Sequence, residues 1–190
     1  LYEAFLSAKS KNDPQALEIG STYLRQFSTN PKASAVLLTM IQLASNLADY
    51  KKMVLYMEAF ADKFKNDPQS LGFQQDALRM SEYLGDIDHA IQLAEKQNLK
   101  LKVGQLLAQS QNWSQLYAFA KNIPGVIGLF YQGLAAYRLN KPEALTLLER
   151  LETASSGSTD PEEQLSKAHA LFILAENQYR AFTVVEKKEI

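Results

Sequence analysis

The sequence predicts an all-α fold, an α-solenoid of antiparallel helix pairs with about ten or eleven helices. Three observations carry that expectation. Apolar residues recur at helical spacing along nearly the whole chain. Asp-Pro, Asn-Pro and Gly-Asp pairs punctuate them where helices should start and stop. Phe27, Pro31 and Asp49 also recur as Phe64, Pro68 and Asp86, each 37 positions on, and Leu17, Val54 and Ile91 keep the same step. A fixed period of this length marks stacked units, because a helix pair cannot bury both its faces without a neighbour.

Taken in order, residues 1–10 read as a helix remnant with Leu1, Tyr2, Phe5 and Leu6 as its apolar positions. Asn12-Asp13-Pro14 opens a second helix through Ala16, Leu17, Tyr23, Leu24 and Phe27, and Asn30-Pro31 opens a third with Val36, Leu37, Met40, Ile41, Leu43, Ala44 and Leu47. The fourth spans about Tyr50 to Phe64 with Met53, Val54, Met57, Phe60 and Ala61 inward. The stretch from Asp67 to Gln97 shows the logic most plainly. Asp67 is placed to cap the fifth helix with Pro68 in its first turn. Leu71, Ala77, Leu78, Met80, Ser81 and Leu84 form its stripe. Gly85 supplies the left-handed stop, Asp86 the next cap, and Ile87, Ala90, Ile91 and Ala94 the sixth stripe.

After Gln97 the step is lost. Short helices at Leu99–Gln109 and Trp113–Lys121 suggest a compressed or tilted unit, and Ile123-Pro124-Gly125 is a break. Val126 to Leu139 is apolar nearly all round, which predicts burial between neighbours, and Pro142 to Leu151 is its partner. Asp160-Pro161-Glu162-Glu163 opens a last, long helix, with Thr183-Val184-Val185 as a helix end or hinge. The expected organisation is helical repeats over 1–152, a short linker over 153–160, and a C-terminal helix over 161–190 that packs on the repeats or extends them.

Composition bounds the chemistry. A chain of 190 residues can bury a core without staples, and the absence of cysteine excludes disulfides, thiolate metal sites and a cysteine nucleophile. A formal charge of −1 argues against a general nucleic-acid surface. No apolar run approaches the ~20 residues that span a bilayer. A start at Leu1 and an end at Ile190 inside a helical pattern read as a fragment or a processed form.

The phasing resembles the tetratricopeptide repeat. Gly85-Asp86-Ile87-Asp88-His89-Ala90-Ile91 matches the turn between that family's two helices, Ala48-Asp49-Tyr50-Lys51-Lys52-Met53-Val54 matches it more loosely, and Pro31 and Pro68 stand 18 positions before Asp49 and Asp86. The Trp, Gly and Tyr landmarks of the family's first helix are missing, and the step exceeds the usual ~34 residues. Long repeats with an aromatic residue four positions before proline look like those of bacterial envelope scaffolds, which implies a periplasmic or envelope setting, with the cytoplasm also open. The resemblance implies a right-handed superhelix whose first helices line a concave side, and a protein or peptide partner there. It directs Leu38, Gln42, Ser45 and Asn46 of the third helix, and Gln75, Arg79, Glu82 and Tyr83 of the fifth, into that groove. Gln42, Ser45, Asn46, Gln75, Arg79, Glu82 and Tyr83 are the candidate partner-binding residues; a solvated helix face would carry the same polar types. Arg79 alone does not make a clamp for a terminal carboxylate.

No catalytic, cofactor or metal constellation stands out. His89 and His169 are far apart and without spaced carboxylates, so each reads as an ordinary imidazole. Gly125 and Gly128 lack a third glycine and a preceding strand. Lys96, Lys100 and Lys102 read as a solvated face, or as a contact for an acidic partner. Trp113 reads as packing across a helix pair. The first function expected is a non-catalytic interaction scaffold, with no cofactor, no nucleic acid and no direct membrane insertion. Two others remain open: an assembly subunit that oligomerises through the apolar last helix (Leu171, Phe172, Leu174, Ala175, Tyr179 and Phe182), and a helical accessory domain of a larger enzyme.

Overall fold

The computed structural model describes residues 1–154 and 157–186, with side chains through Arg180. Regular structure among them is helical throughout, as expected: α1 (Tyr2–Ser10), α2 (Gln15–Gln26), α3 (Ala33–Asn46), α4 (Tyr50–Lys63), α5 (Ser70–Tyr83), α6 (Ile87–Lys96), α7 (Lys100–Gln109), α8 (Trp113–Ala120), α9 (Gly125–Arg138), α10 (Ala144–Ala154) and α11 (Pro161–Glu186). The Thr183–Val185 segment belongs to α11. Part of the expected linker, at 155–156, and the Phe182 side chain lie outside the described residues. The chain forms two compact units, Leu1–Gln97 with α1 to α6 and Asn98–Ile190 with α7 to α11. In the first, each helix packs on the next in chain order. In the second, α9 packs on α7, α8, α10 and α11.

The same turn closes every pair. The residue just past the C-cap takes a positive φ: Asn12 at 50°, Ala48 at 54°, Gly85 at 73°, Gln111 at 57° and Asn140 at 54°. The following N–H then reaches back to a carbonyl of the last helical turn. Asp13 donates to Ala8, Asp49 to Ala44, Asp86 to Ser81, Asn112 to Leu107 and Lys141 to Ala136, at 2.9 to 3.1 Å. This 6→1 closure satisfies carbonyls the helix end would otherwise orphan. In three of the turns the same residue caps the next helix with its side chain, Asp49 accepting from the Lys52 N–H, Asp86 from His89 and Asn112 from Gln115.

The Asx-Pro pairs act differently from the expected cap. Asp13, Asn30 and Asp67 each accept the N–H two residues on, from Gln15, Lys32 and Gln69, all at 2.9 Å. These are Asx turns. The helices begin after them, so α5 starts at Ser70 instead of at Pro68. Asp160 is a true cap. It accepts from the Glu162 and Glu163 N–H groups, and Pro161 is the first helical residue.

The 37-residue step is a step in burial. Leu17, Val54 and Ile91 are buried, as are Ala16, Met53 and Ala90, and the pairs Tyr23 and Phe60, Ala33 and Ser70, and Ala44 and Ser81. Phe60 stacks on Phe64 at 5.0 Å and meets Phe73 edge-on at 5.1 Å, as Tyr23 stacks on Phe27 at 5.2 Å. Burying a ring fully, as at Tyr23 and Phe60, is worth roughly 1.5–3 kcal/mol, while Phe27 stays 44% exposed. In the second unit α9 is buried between neighbours, as its all-round apolar pattern predicts, and its glycines permit the approach. A Cβ on Gly128 would stand 1.9 Å from the Ile123 carbonyl oxygen, and one on Gly133 would stand 2.8 Å from Leu148.

Two substitutions test this account by urea denaturation. Gly128→Ala meets backbone that cannot swing aside, and its cost is expected at about 3 kcal/mol, the upper end of overpacking. Ala48→Gly relieves a left-handed alanine and is expected to stabilise by about 1 kcal/mol. A neutral result at Gly128 would contradict the close approach, and a loss at Ala48 would contradict the strained turn.

Candidate partner-binding surfaces

In the first unit, Gln42, Ser45 and Asn46 are exposed on α3, and Gln75, Arg79 and Tyr83 on α5; Glu82 is half-buried. A cleft of about 490 Å³ brings Arg79 and Tyr83 together with Met57, Asp76 and Met80. The three α3 residues are not in its lining. Tyr83 is 83% exposed. The Arg79 guanidinium is bonded to Asp76 one turn back, so its charge is largely met within its own helix.

The same unit holds a polar contact that the sequence did not suggest. His89 on α6 lies half-buried, its Nε2 2.8 Å from Glu58 Oε1 of α4 and its Nδ1 3.4 Å from Ser81 Oγ of α5. The Glu58 contact is close but lacks the alignment of a hydrogen bond. Acid, imidazole and hydroxyl are the residue types of a nucleophile set, but Ser81 is 1% exposed and no substrate carbonyl could reach it. The trio ties three helices together. Lys96 Nζ sits 2.6 Å from Asp62 of α4, and Gln97 Nε2 donates to the Gln74 carbonyl at 3.0 Å, so Lys96 already has an acidic partner within the fold.

The second unit carries a larger concavity. Residues of its α7, α8, α9 and α11 line one cleft of about 820 Å³, continuous with a second of about 620 Å³ through Ala108, Phe130, Leu134 and His169. Phe130 and Leu134 form the floor. Phe172 and Leu165 stand on the α11 side, and Trp113 and Arg138 close one end. The Arg138 guanidinium lies 5.5 Å from the Trp113 ring centroid and has no carboxylate beside it among the described residues. Trp113 thus reaches from α8 to α9 and also lines the cleft. His169 packs on Phe130 at 5.9 Å. At the other end Glu162 accepts from Gln105 Nε2 at 3.4 Å, and burial, with the Glu162 charge nearby, pushes the Tyr131 hydroxyl up to about 12. No group of three or more metal-ligating side chains occurs among the described residues, and no helix there is long and apolar enough to cross a membrane.

No family model matches the chain, and no curated protein matches it. The chain is similar to a tetratricopeptide repeat protein from Parabacteroides merdae. That crystal structure shares 17% identity over 97% of this chain and 76% of its own, with a TM-score of 0.45.

On the other side of α9, Tyr117 donates to Glu143 Oε1 at 2.6 Å, and the Lys121 and Lys141 ammonium groups lie 5.1 and 4.6 Å from the Tyr117 ring centroid. The bond holds the Glu143 carboxyl below its ordinary 4.5 and pushes the Tyr117 hydroxyl above its ordinary 10.0. The depressed carboxyl adds stability above 4.5 that is lost as pH falls through its folded value; the raised hydroxyl adds stability below 10.0 that is lost as pH rises through its own. Melting curves of wild type and Glu143→Gln are expected to differ at neutral pH and to converge below pH 4.5. A difference that persists unchanged into acid would refute the bond's contribution.

Proposed function

We propose that the chain is a non-catalytic interaction scaffold that holds a protein segment in the cleft between α7 and α11, over α9. One observation carries the reading: residues of α7, α8, α9 and α11 converge on one ring-lined concavity, which is how serial helix pairs build a binding surface. The chemistry there fits a segment with an apolar side chain seated on Phe130 and Leu134 and a carboxylate at Arg138. The α5 cleft with Arg79 and Tyr83, flanked by Gln75 and Glu82, is a second contact face, and Gln42, Ser45 and Asn46 offer amides and a hydroxyl on α3. Tyr83 is the stronger anchor of that face, because Arg79 is already paired with Asp76.

Binders selected from a displayed random-peptide library supply the test. Arg138→Glu is expected to weaken them at least about tenfold, which is about 1.4 kcal/mol. Arg79→Ala with Tyr83→Ala is expected to act less, and amide shifts on titration should centre on α7, α9 and α11. Binders indifferent to Arg138→Glu whose shifts fall elsewhere would dismiss the cleft.

A further inference from the structure

Three cations of the second unit gather along α8. Trp113, Tyr117 and Lys121 stand four residues apart, so they share one side of that helix over about 12 Å. Arg138, from the last turn of α9, lies 5.5 Å from the Trp113 ring centroid. Lys141, from the α9–α10 connection, and Lys121 lie 4.6 and 5.1 Å from that of Tyr117. Three cations from three elements are thus laid on two rings. None of them makes an ion pair among the described residues. Glu143 feels the Lys141 and Lys121 charges, yet its hydrogen bond goes to the Tyr117 hydroxyl. The stripe therefore sets three positive charges against one negative, on a chain whose formal charge is −1. Lys121 and Arg138 are exposed and Lys141 is half-buried. The bond from Tyr117 to Glu143 already ties α8 to the start of α10, so the cations are not needed for that link.

We propose that this stripe is a docking surface for an acidic segment of a protein partner, whose carboxylates pair with Arg138, Lys141 and Lys121. Charge complementarity selects the class of partner. The rings prepare the site. A cation resting on a ring keeps its charge but has fewer rotamers left to lose, so part of the ordering cost is met before the partner arrives. Length selects a chain over a small anion. A lone carboxylate or phosphate cannot reach along the whole stripe, whereas acidic residues four apart in an extended segment span about 13 Å. Nucleic acid fits less well. Base stacking needs an open aromatic face, and both rings here already carry cations. The Glu143 charge would also repel phosphates. The stripe adjoins the cleft over α9 at Trp113 and Arg138, which the two surfaces share. It rests on the cleft's reading for nothing else, because Tyr117, Lys121 and Lys141 lie outside the cleft lining.

Hexaglutamate with blocked ends is the probe, and Trp113, the only tryptophan of the chain, is the reporter. At low ionic strength the peptide is expected to change Trp113 fluorescence saturably, with amide shifts on α8 and the α9–α10 connection. Added salt should weaken it. Lys121→Gln combined with Lys141→Gln is expected to weaken binding at least about tenfold. Glu143→Gln acts in the opposite sense: it removes the stripe's one carboxylate and is expected to tighten binding about threefold. A purely structural role for the lysines predicts no tightening. Selected binders of the cleft do not need the two lysines, so failure here and failure of the cleft are read separately. A wild type that does not bind hexaglutamate overturns the proposal, as does binding that survives the lysine pair's removal or does not tighten in Glu143→Gln. Shifts centred on α11 would assign the peptide to the cleft and overturn it too. Oligothymidylate that binds as tightly through the same lysines would overturn it in favour of nucleic acid.

Discussion

Each hairpin in this chain depends on one backbone event. A residue past the helix end turns left-handed, and the next N–H reaches back to a carbonyl of the turn it has just left. That closure reverses the chain within three to five residues and pairs a carbonyl the helix end would otherwise orphan, so the second helix must run back along the first. Everything larger follows from the reversal. Helices fixed antiparallel at short range share an apolar flank, and the flank left over is presented to the following pair.

In the second unit the consequence is a cleft and not merely a core. α9 is buried because neighbours approach it on four helices, and its small residues let them come close. With α8 and α10 accounted for as hairpin partners, α7 and α11 are left to flank the remaining side. The cleft's rings, Trp113, Phe130 and Phe172, come from three different helices. Their convergence is a property of the stacking, in which backbone geometry sets up the recognition chemistry.

The repeat was legible in the sequence where the turns used residues with a local reason to be there. Gly85 and Asp86 announce a stop and a cap, and the 37-residue step survives as a step in burial from Leu17 to Val54 to Ile91. Ala48 and Gln111 take the same left-handed conformation with no such signal, because tertiary packing overrides their propensity. The contact of His89 with Glu58 and Ser81 was invisible for a related reason: the stagger between helices decides it, and no local pattern encodes that stagger. The α3 and α5 candidates were chosen by phasing. Their exposure agrees with that phasing, but any solvated helix face would give the same exposure, so the cleft at Arg79 and Tyr83 carries more weight than exposure alone.

In the last helix, the described large apolar residues expected to form one broad face are not the ones it buries. The side toward α9 and α10 buries Ser166, Ala170 and Ile173, while Phe172 and Tyr179 stand in solvent and Leu174 is half-buried. A helix serving only as a cover would do the reverse, because large apolar groups return the most free energy when buried and small polar ones the least. Small residues inside let α11 lie close to its neighbours. Of the large residues outside, Leu165 and Phe172 wall the cleft over α9.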